Sequence, residues 1–239
     1  YGYPNLERDL ATYRSTFGLP ACTVANGCLR IIDQTGGAKL PAVNLGWAQE
    51  QALDVDAVSA TCPDCKILVV QASSNSFANL GTAVNTAARQ PGVVAISNSY
   101  GGSDAPDSVL GSYYNHPGIA ITASTGDSGY RGGSYPASSS YVTAVGGTSL
   151  VRATGTARGW SETVWAGTGS GCSGYNTALT AAAPFGTGCT KRAVADVAAA
   201  ADPAKGGLAV FYPTTATTST WGQIGGTSES APIIAAVYA

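Results

Sequence analysis

Three groups of residues in this chain have the types and spacing that covalent chemistry needs. Gly226-Thr227-Ser228-Glu229-Ser230-Ala231-Pro232 sets a tight Gly-Thr turn ahead of a helix-forming run, so Ser228 falls at a helix start. Free N–H groups and the positive end of the helix dipole favour a developing negative charge there. That suits a serine nucleophile, but a serine needs a base. The one histidine, His116, precedes Pro117 and opens a strand, a place better suited to a structural loop residue. The alternative base lies upstream. Gly46–Val58 reads as a helix with Trp47, Leu53, Ala57 and Val58 as apolar positions, and Glu50 and Asp54, four residues apart, share one face of it. Two anions so placed repel, and one of them holds a proton in the acidic range. Such a pair can act as base and then as acid, Glu50 touching the serine and Asp54 orienting Glu50. Asp56 falls on another face and is the weaker partner. Third, Ala123–Gly129 follows the apolar run Ile119–Thr122, so Asp127 is carried into a loop at a strand's C-terminal end, where α/β sheets build their sites. A protonated Asp127 could donate to an oxyanion.

Taken singly, each group has an ordinary reading: a turn, a solvated acidic helix face, and Gly/Asp turn chemistry. Their conjunction is far more specific, and it requires elements able to bring them together. Helices are expected at Asn5–Phe17, Trp47–Ala60, Phe77–Arg89 and Asp107–Tyr114, with a last helix from Ser228 through Tyr238. Short apolar strands are expected at Cys28–Ile32, Ile67–Gln71, Val93–Ser97, Ile119–Ala123, Val142–Val145 and Leu208–Tyr212. Strands that are continuously apolar and alternate with helices imply a parallel sheet covered on both faces. Ser149–Thr190, rich in Gly, Ser and Thr, reads as long surface loops. The 239 residues suit a single domain, 1–239, large enough to bury a substantial core.

Composition narrows the class of protein. Only 11% of residues are charged and the net charge is −2, which argues against nucleic acid or an anionic membrane as partner. Low charge, with 31 glycines, leaves few native carboxylate interactions to lose in acid. No apolar stretch reaches the length of a membrane span, and the start carries no signal-peptide pattern. The six cysteines fall into close pairs, Cys22/Cys28, Cys62/Cys65 and Cys172/Cys189. Fifteen connectivities are formally open; the short spacings favour three local disulfides and an oxidising compartment. Zinc is disfavoured, because Cys62-Pro63-Asp64-Cys65 has no second C-x-x-C and no histidine near it.

In this order, Glu50 with Asp54, then Ser124-Thr125-Gly126-Asp127, then Gly225-Gly226-Thr227-Ser228 with Pro232 resemble the motifs of the sedolisin family of serine-carboxyl peptidases. The resemblance is closest to secreted bacterial members and extends through Ser97–Gly102, Tyr135–Ser138 and Val142–Thr148. It implies an α/β, subtilisin-like parallel sheet with helices on both faces. It implies a secreted, acid-active endopeptidase that forms an acyl-enzyme on Ser228, with Glu50 and Asp54 completing the triad and Asp127 the oxyanion hole. Activity would peak in acid and be gone by about neutrality. Ser97, Ser99, Gly101, Gly102, Ser124 and Gly126 would meet the substrate, the Ser97–Gly102 segment by pairing with its extended backbone. Peptide or protein substrate and an N-terminal propeptide in the precursor are the implied partners of a monomer. Relatives carry a calcium site after the nucleophile helix. No residue here maps to it, so no metal is expected in this chain and calcium only in a longer parent. The chain opens where relatives have completed a first core strand and closes eleven residues after Ser228, so truncation at both ends is expected. Two alternatives stay open: an inactive peptidase-fold binding module, and a serine esterase. The second lacks a G-x-S-x-G elbow and a histidine downstream of Ser228. Glu229, beside the nucleophile where relatives have a small residue, would either alter the proton affinity of Ser228 or point to solvent.

Overall fold

A computed structural model describes residues 1–239. The first half of the chain forms α1 (Leu6–Thr16), β1 (Leu29–Asp33), α2 (Leu45–Thr61), β2 (Ile67–Gln71), α3 (Phe77–Ala88), β3 (Ala95–Asn98), β4 (Gly102–Ser103) and the single turn α4 (Asp107–Leu110). Then come β5 (Ala120–Ser124), β6 (Ser134–Tyr135), β7 (Thr143–Arg152), β8 (Trp160–Val164), β9 (Gly171–Cys172) and β10 (Ala193–Val194). The last elements are β11 (Val197–Ala200), β12 (Leu208–Pro213), β13 (Ser219–Ile224) and α5 (Thr227–Tyr238).

The central sheet runs β11-β7-β5-β3, all parallel, with β8 added antiparallel to β7. Its register pairs Ile96 with Ile121, Thr122 with Thr143, and Val145 with Val197. Alternation along β5 shows why both faces need cover, since successive side chains point to opposite sides. Ile121 and Ala123 join a core with Val84 of α3, whereas the Thr122 hydroxyl between them donates to the Ala231 carbonyl of α5 at 3.1 Å. β1 and β2 form a separate parallel pair and share no ladder with β3. A second core gathers Leu6 and Leu10 of α1, Ala48, Ala52, Leu53 and Val55 of α2, and Val210 of β12. No helix is long and apolar enough to cross a membrane.

Helix starts follow their caps. The Asn44 side chain accepts from Trp47 N at 3.1 Å, so α2 begins at Leu45, two residues before the expected Trp47. Ser76 caps α3 in the same way. Arg14, fully buried, ties α1 to the loops that follow it and α2, donating to Pro20 O at 2.5 Å, Ser59 Oγ at 2.9 Å and Pro63 O at 2.6 Å.

Three disulfides close neighbouring loops: Cys22–Cys28, Cys62–Cys65 and Cys172–Cys189. The third differs from the other two in what it joins. Cys172 ends β9, whereas Cys189 lies in no helix or strand. It sits half-buried in the loop ahead of β10, and its N–H donates to Thr187 Oγ1 at 3.3 Å. The bond therefore fastens a 17-residue excursion back onto the short β9–β10 ladder, which pairs Cys172 with Ala193.

The largest departure from the sequence reading lies in Ser149–Thr190. The loop assignment suits the stretch around Cys189, but not its beginning. There β7 continues to Arg152 and folds back as a hairpin with β8, pairing Leu150 with Glu162. Gly146-Gly147 reads as a strand end, yet both glycines sit inside β7. Their missing side chains admit close neighbours: a Cβ on Gly147 would collide with the Ala201 Cβ. β11 also escapes the reading, because Val-Ala-Ala-Ala has little strand propensity and is set by its place beside β7.

Candidate active site

The helix-start serine sits where the sequence places it. Gly226, at φ 106°, turns the chain from β13 into α5. A Cβ there would come within 2.8 Å of Asp127 Oδ2, so both the turn and the close approach require glycine. α5 starts at Thr227, one residue ahead of Ser228.

Asp127, exposed in the loop after β5, reaches this turn. Its Oδ1 accepts from Thr227 N at 2.7 Å and from Thr227 Oγ1 at 2.9 Å. That anchors the carboxyl at the N-terminus of α5 and leaves Oδ2 as the oxygen without a partner from Thr227. The Thr227 hydroxyl accepts in turn from Gly126 N at 2.9 Å. Thr227 is therefore the joint between the two loops, a role the sequence reading misses because Gly-Thr reads only as a turn.

Glu50 comes from α2, which packs along α5. Its Oε1 is out of solvent with no hydrogen-bond partner. Burial pushes its pKa up to about 7; a hydrogen bond from Ser228 pulls the other way, and the negative charge of Asp127 adds to the rise. Asp54, one turn on, is driven well above the ordinary carboxyl range, first by burial and then by Glu50, while a hydrogen bond from Ser99 opposes the shift. The pair thus holds a proton further up the pH scale than the sequence suggests. Because the base form of Glu50 is scarce in strong acid, the window for proton transfer moves from strong toward weak acid.

Asp56 is buried elsewhere. Its Oδ2 accepts from Phe211 N at 3.1 Å, and burial raises its pKa to about 8, with Asp9 adding to the rise. His116 is held between Asn85 and the Tyr113 carbonyl, at 2.9 and 3.1 Å. Glu229 neither meets solvent nor pairs with Ser228: it is 2% exposed, Oε2 has no partner, and burial lifts its pKa to about 8 against a hydrogen bond from Leu208 N.

Of the residues expected to meet substrate, Ser99 has its hydroxyl 2.5 Å from Asp54 Oδ1 and 3.2 Å from the Ser228 carbonyl. The Ser97 hydroxyl is buried and unpartnered, and Ser124 is buried at the end of β5. Gly101 is exposed, and Gly102 pairs with Tyr135 in the β4–β6 ladder. Gly126 is engaged at both backbone groups, its N–H by Thr227 and its carbonyl by Gly169 N at 2.6 Å. An open cleft of about 260 Å³, lined by Asn44, Gly46, Trp47, Glu50 and Ser99, opens onto Glu50 and not onto Asp54.

The cysteines do not belong to this site. Cys22, Cys28, Cys62, Cys65, Cys172 and Cys189 are all consumed in disulfides, none is free, and none lines the cleft. Cys189 in particular is a loop staple with no thiol to offer as nucleophile or ligand. No group of three His, Cys, Asp or Glu side chains converges in this chain.

The parallel sheet, with a carboxyl pair, a loop aspartate and a helix-start serine gathered at one end of α5, is a subtilisin-like α/β fold. The comparisons with known proteins bear out the resemblance to the sedolisin family. The chain is 32% identical to kumamolisin from Bacillus sp. (strain MN-32) over 98% of its own length, and spans 46% of that relative. Among solved structures it resembles a Pseudomonas sedolisin, a serine-carboxyl proteinase complexed with pseudo-iodotyrostatin. That match has a TM-score of 0.80 at 24% identity and covers 99% of this chain and 71% of the other. Sphericase aligns with a TM-score of 0.55 at 17% identity over 88% of this chain and 76% of its own. These last two likenesses speak for the fold alone. No family profile matches the chain.

Proposed function

We propose that the protein carrying this chain is a secreted serine-carboxyl endopeptidase, acting on peptide bonds of peptide or protein substrates on the acid side of neutrality. The observation that carries the reading is the approach of Ser228 to Glu50, with Asp54 one turn behind and Asp127 anchored at the same helix start. Ser228 Oγ attacks the carbonyl carbon of the scissile bond as its proton passes to Glu50. The C–N bond then breaks, Glu50 returns the proton to the leaving amine, and an ester on Ser228 remains. Water attacks the ester by the same proton path and frees the acid. Asp54, one turn behind, stays uncharged through burial and so spares Glu50 a second negative charge. A proton on Asp127 Oδ2 would serve the oxyanion, because Oδ1 is occupied by Thr227.

Three disulfides and the lack of a membrane-crossing helix support an extracellular setting. The 46% span of the relative leaves the propeptide, any calcium site and the activity of the whole protein as proposals on the same footing. The test is covalent. A peptide aldehyde or fluorophosphonate at about pH 6, where a share of Glu50 is ionised while Asp54 keeps its proton, is expected to label Ser228 in the chain and nothing in Ser228→Ala. An unlabelled wild-type chain that still binds the peptide would replace this reading with a non-catalytic binding module.

A further inference from the structure

The proline that closes the nucleophile motif has a local cost. Pro232 lies four residues after Ser228 on α5 and has no N–H, so the Ser228 carbonyl lacks its ordinary helical donor. A carbonyl left without that donor seeks another. The Ser99 hydroxyl lies 3.2 Å from it and also 2.5 Å from Asp54 Oδ1. A serine hydroxyl has one hydrogen and two lone pairs. It can donate to the Ser228 carbonyl only if Asp54 supplies the hydrogen for the other contact, which requires Asp54 to be protonated. An ionised Asp54 takes the Ser99 hydrogen for itself and leaves the carbonyl unpaired.

We propose that Ser99 is a positioning residue that reports the protonation of Asp54 to the backbone of the nucleophile. With Asp54 protonated, the chain runs Asp54 O–H to Ser99 Oγ, and Ser99 O–H to the Ser228 carbonyl, fixing the first turn of α5. Loss of the Asp54 proton reverses the Ser99 hydroxyl and releases that turn. No proton crosses to Ser228; only the hydroxyl turns. The charged group acting on Asp54 is Glu50, on its own helix, and burial keeps Asp54 in its neutral form. Asp127, from the loop after β5, acts on Glu50. On α5, Glu229 is directed toward Leu208. On α1, Asp9 acts on Asp56 and Tyr3. β12, which also packs on α2, brings only Tyr212.

The consequence rests on the peptidase reading for its rate arm and is independent of it for its spectroscopic arm. In carbon-13 NMR of the intact chain, the Ser228 carbonyl resonance is expected to shift as Asp54 titrates, and to stop following Asp54 in Ser99→Ala while Ser99→Thr restores the response. A Ser228 carbonyl indifferent to the Asp54 titration in wild type, or still following it in Ser99→Ala, overturns the proposal. In the rate arm, Ser99→Ala should slow labelling of Ser228 about tenfold, the scale of one hydrogen bond. The penalty should fall below about twofold in a Pro232→Ala background, where α5 supplies its own N–H to the carbonyl. An undiminished penalty there also overturns it. Absence of labelling in wild type defeats the peptidase reading instead and leaves the carbonyl resonance to decide the role of Ser99.

Discussion

Replacing Glu229 with glutamine should make this chain more stable near neutrality while leaving it nearly unchanged in acid. Glu229 is 2% exposed and Oε2 has no hydrogen-bond partner. Its pKa rises from an ordinary 4.5 to about 8, chiefly because burial disfavours the ionised form. The folded chain therefore binds this proton more tightly than the unfolded chain. The associated stability is fully present below about pH 4 and is lost as pH climbs through the folded value. Between about pH 4 and pH 7 the loss amounts to about 3 kcal/mol, from 1.36 kcal/mol for each pH unit over which only the unfolded chain ionises. That is a large share of the roughly 5–15 kcal/mol by which domains are commonly stable. A glutamine is close in shape, keeps an acceptor for Leu208 N, and never ionises. Urea unfolding at about pH 4 and pH 7, with the midpoint and slope fitted separately, should show a steep decline in wild type and one shallower by about 3 kcal/mol in Glu229→Gln. Equal declines in the two proteins would refute the reasoning, since they would mean that Glu229 reaches water or a cation when ionised.

Asp56→Asn should act in the same direction on stability, because Asp56 is also raised to about 8 by burial, and should leave labelling of Ser228 within about twofold; Glu50→Gln should slow labelling by about 10²–10⁴, the range for general-base loss. The pH profile of labelling should be a bell: its acid limb reports Glu50, which must lose a proton to act as base. Asp127→Asn removes a negative charge that raises the Glu50 pKa, so that limb should move to lower pH, and a limb that moves upward would contradict the placement of Asp127 against Glu50.

How much of this was legible in the residues follows from which forces set each part. The nucleophile turn, the i, i+4 acid pair and the Asp127 loop are local patterns, and each falls on the element expected for it. The disulfides are likewise local, and neighbours pair with neighbours, even Cys172 with Cys189 across the longest of the three loops. The parts that escaped depend on contacts distant in sequence. Glu229 follows the serine, and its burial comes with the packing of α5 along α2 and the approach of Leu208, not from its sequence neighbours. Ser99 reads as a substrate contact until Asp54 and Ser228, brought from 45 and 129 residues away, are seen on either side of its hydroxyl. The β7–β8 hairpin was hidden by glycines that serve packing instead of turning.

Arg14 gives the α1 corner a kind of acid tolerance that the carboxylates cannot. All three of its hydrogen-bond acceptors are neutral: the Pro20 and Pro63 carbonyls and the Ser59 hydroxyl. None of them gains a proton between about pH 2 and pH 8, so acid has no partner to discharge. Arg192, equally buried, adds to the Ser139, Val142 and Ala193 carbonyls the carboxylate of Asp196, a partner that one proton neutralises. As the medium acidifies, Arg14 keeps every partner it has, whereas Arg192 keeps its carbonyls and loses the charge opposite it.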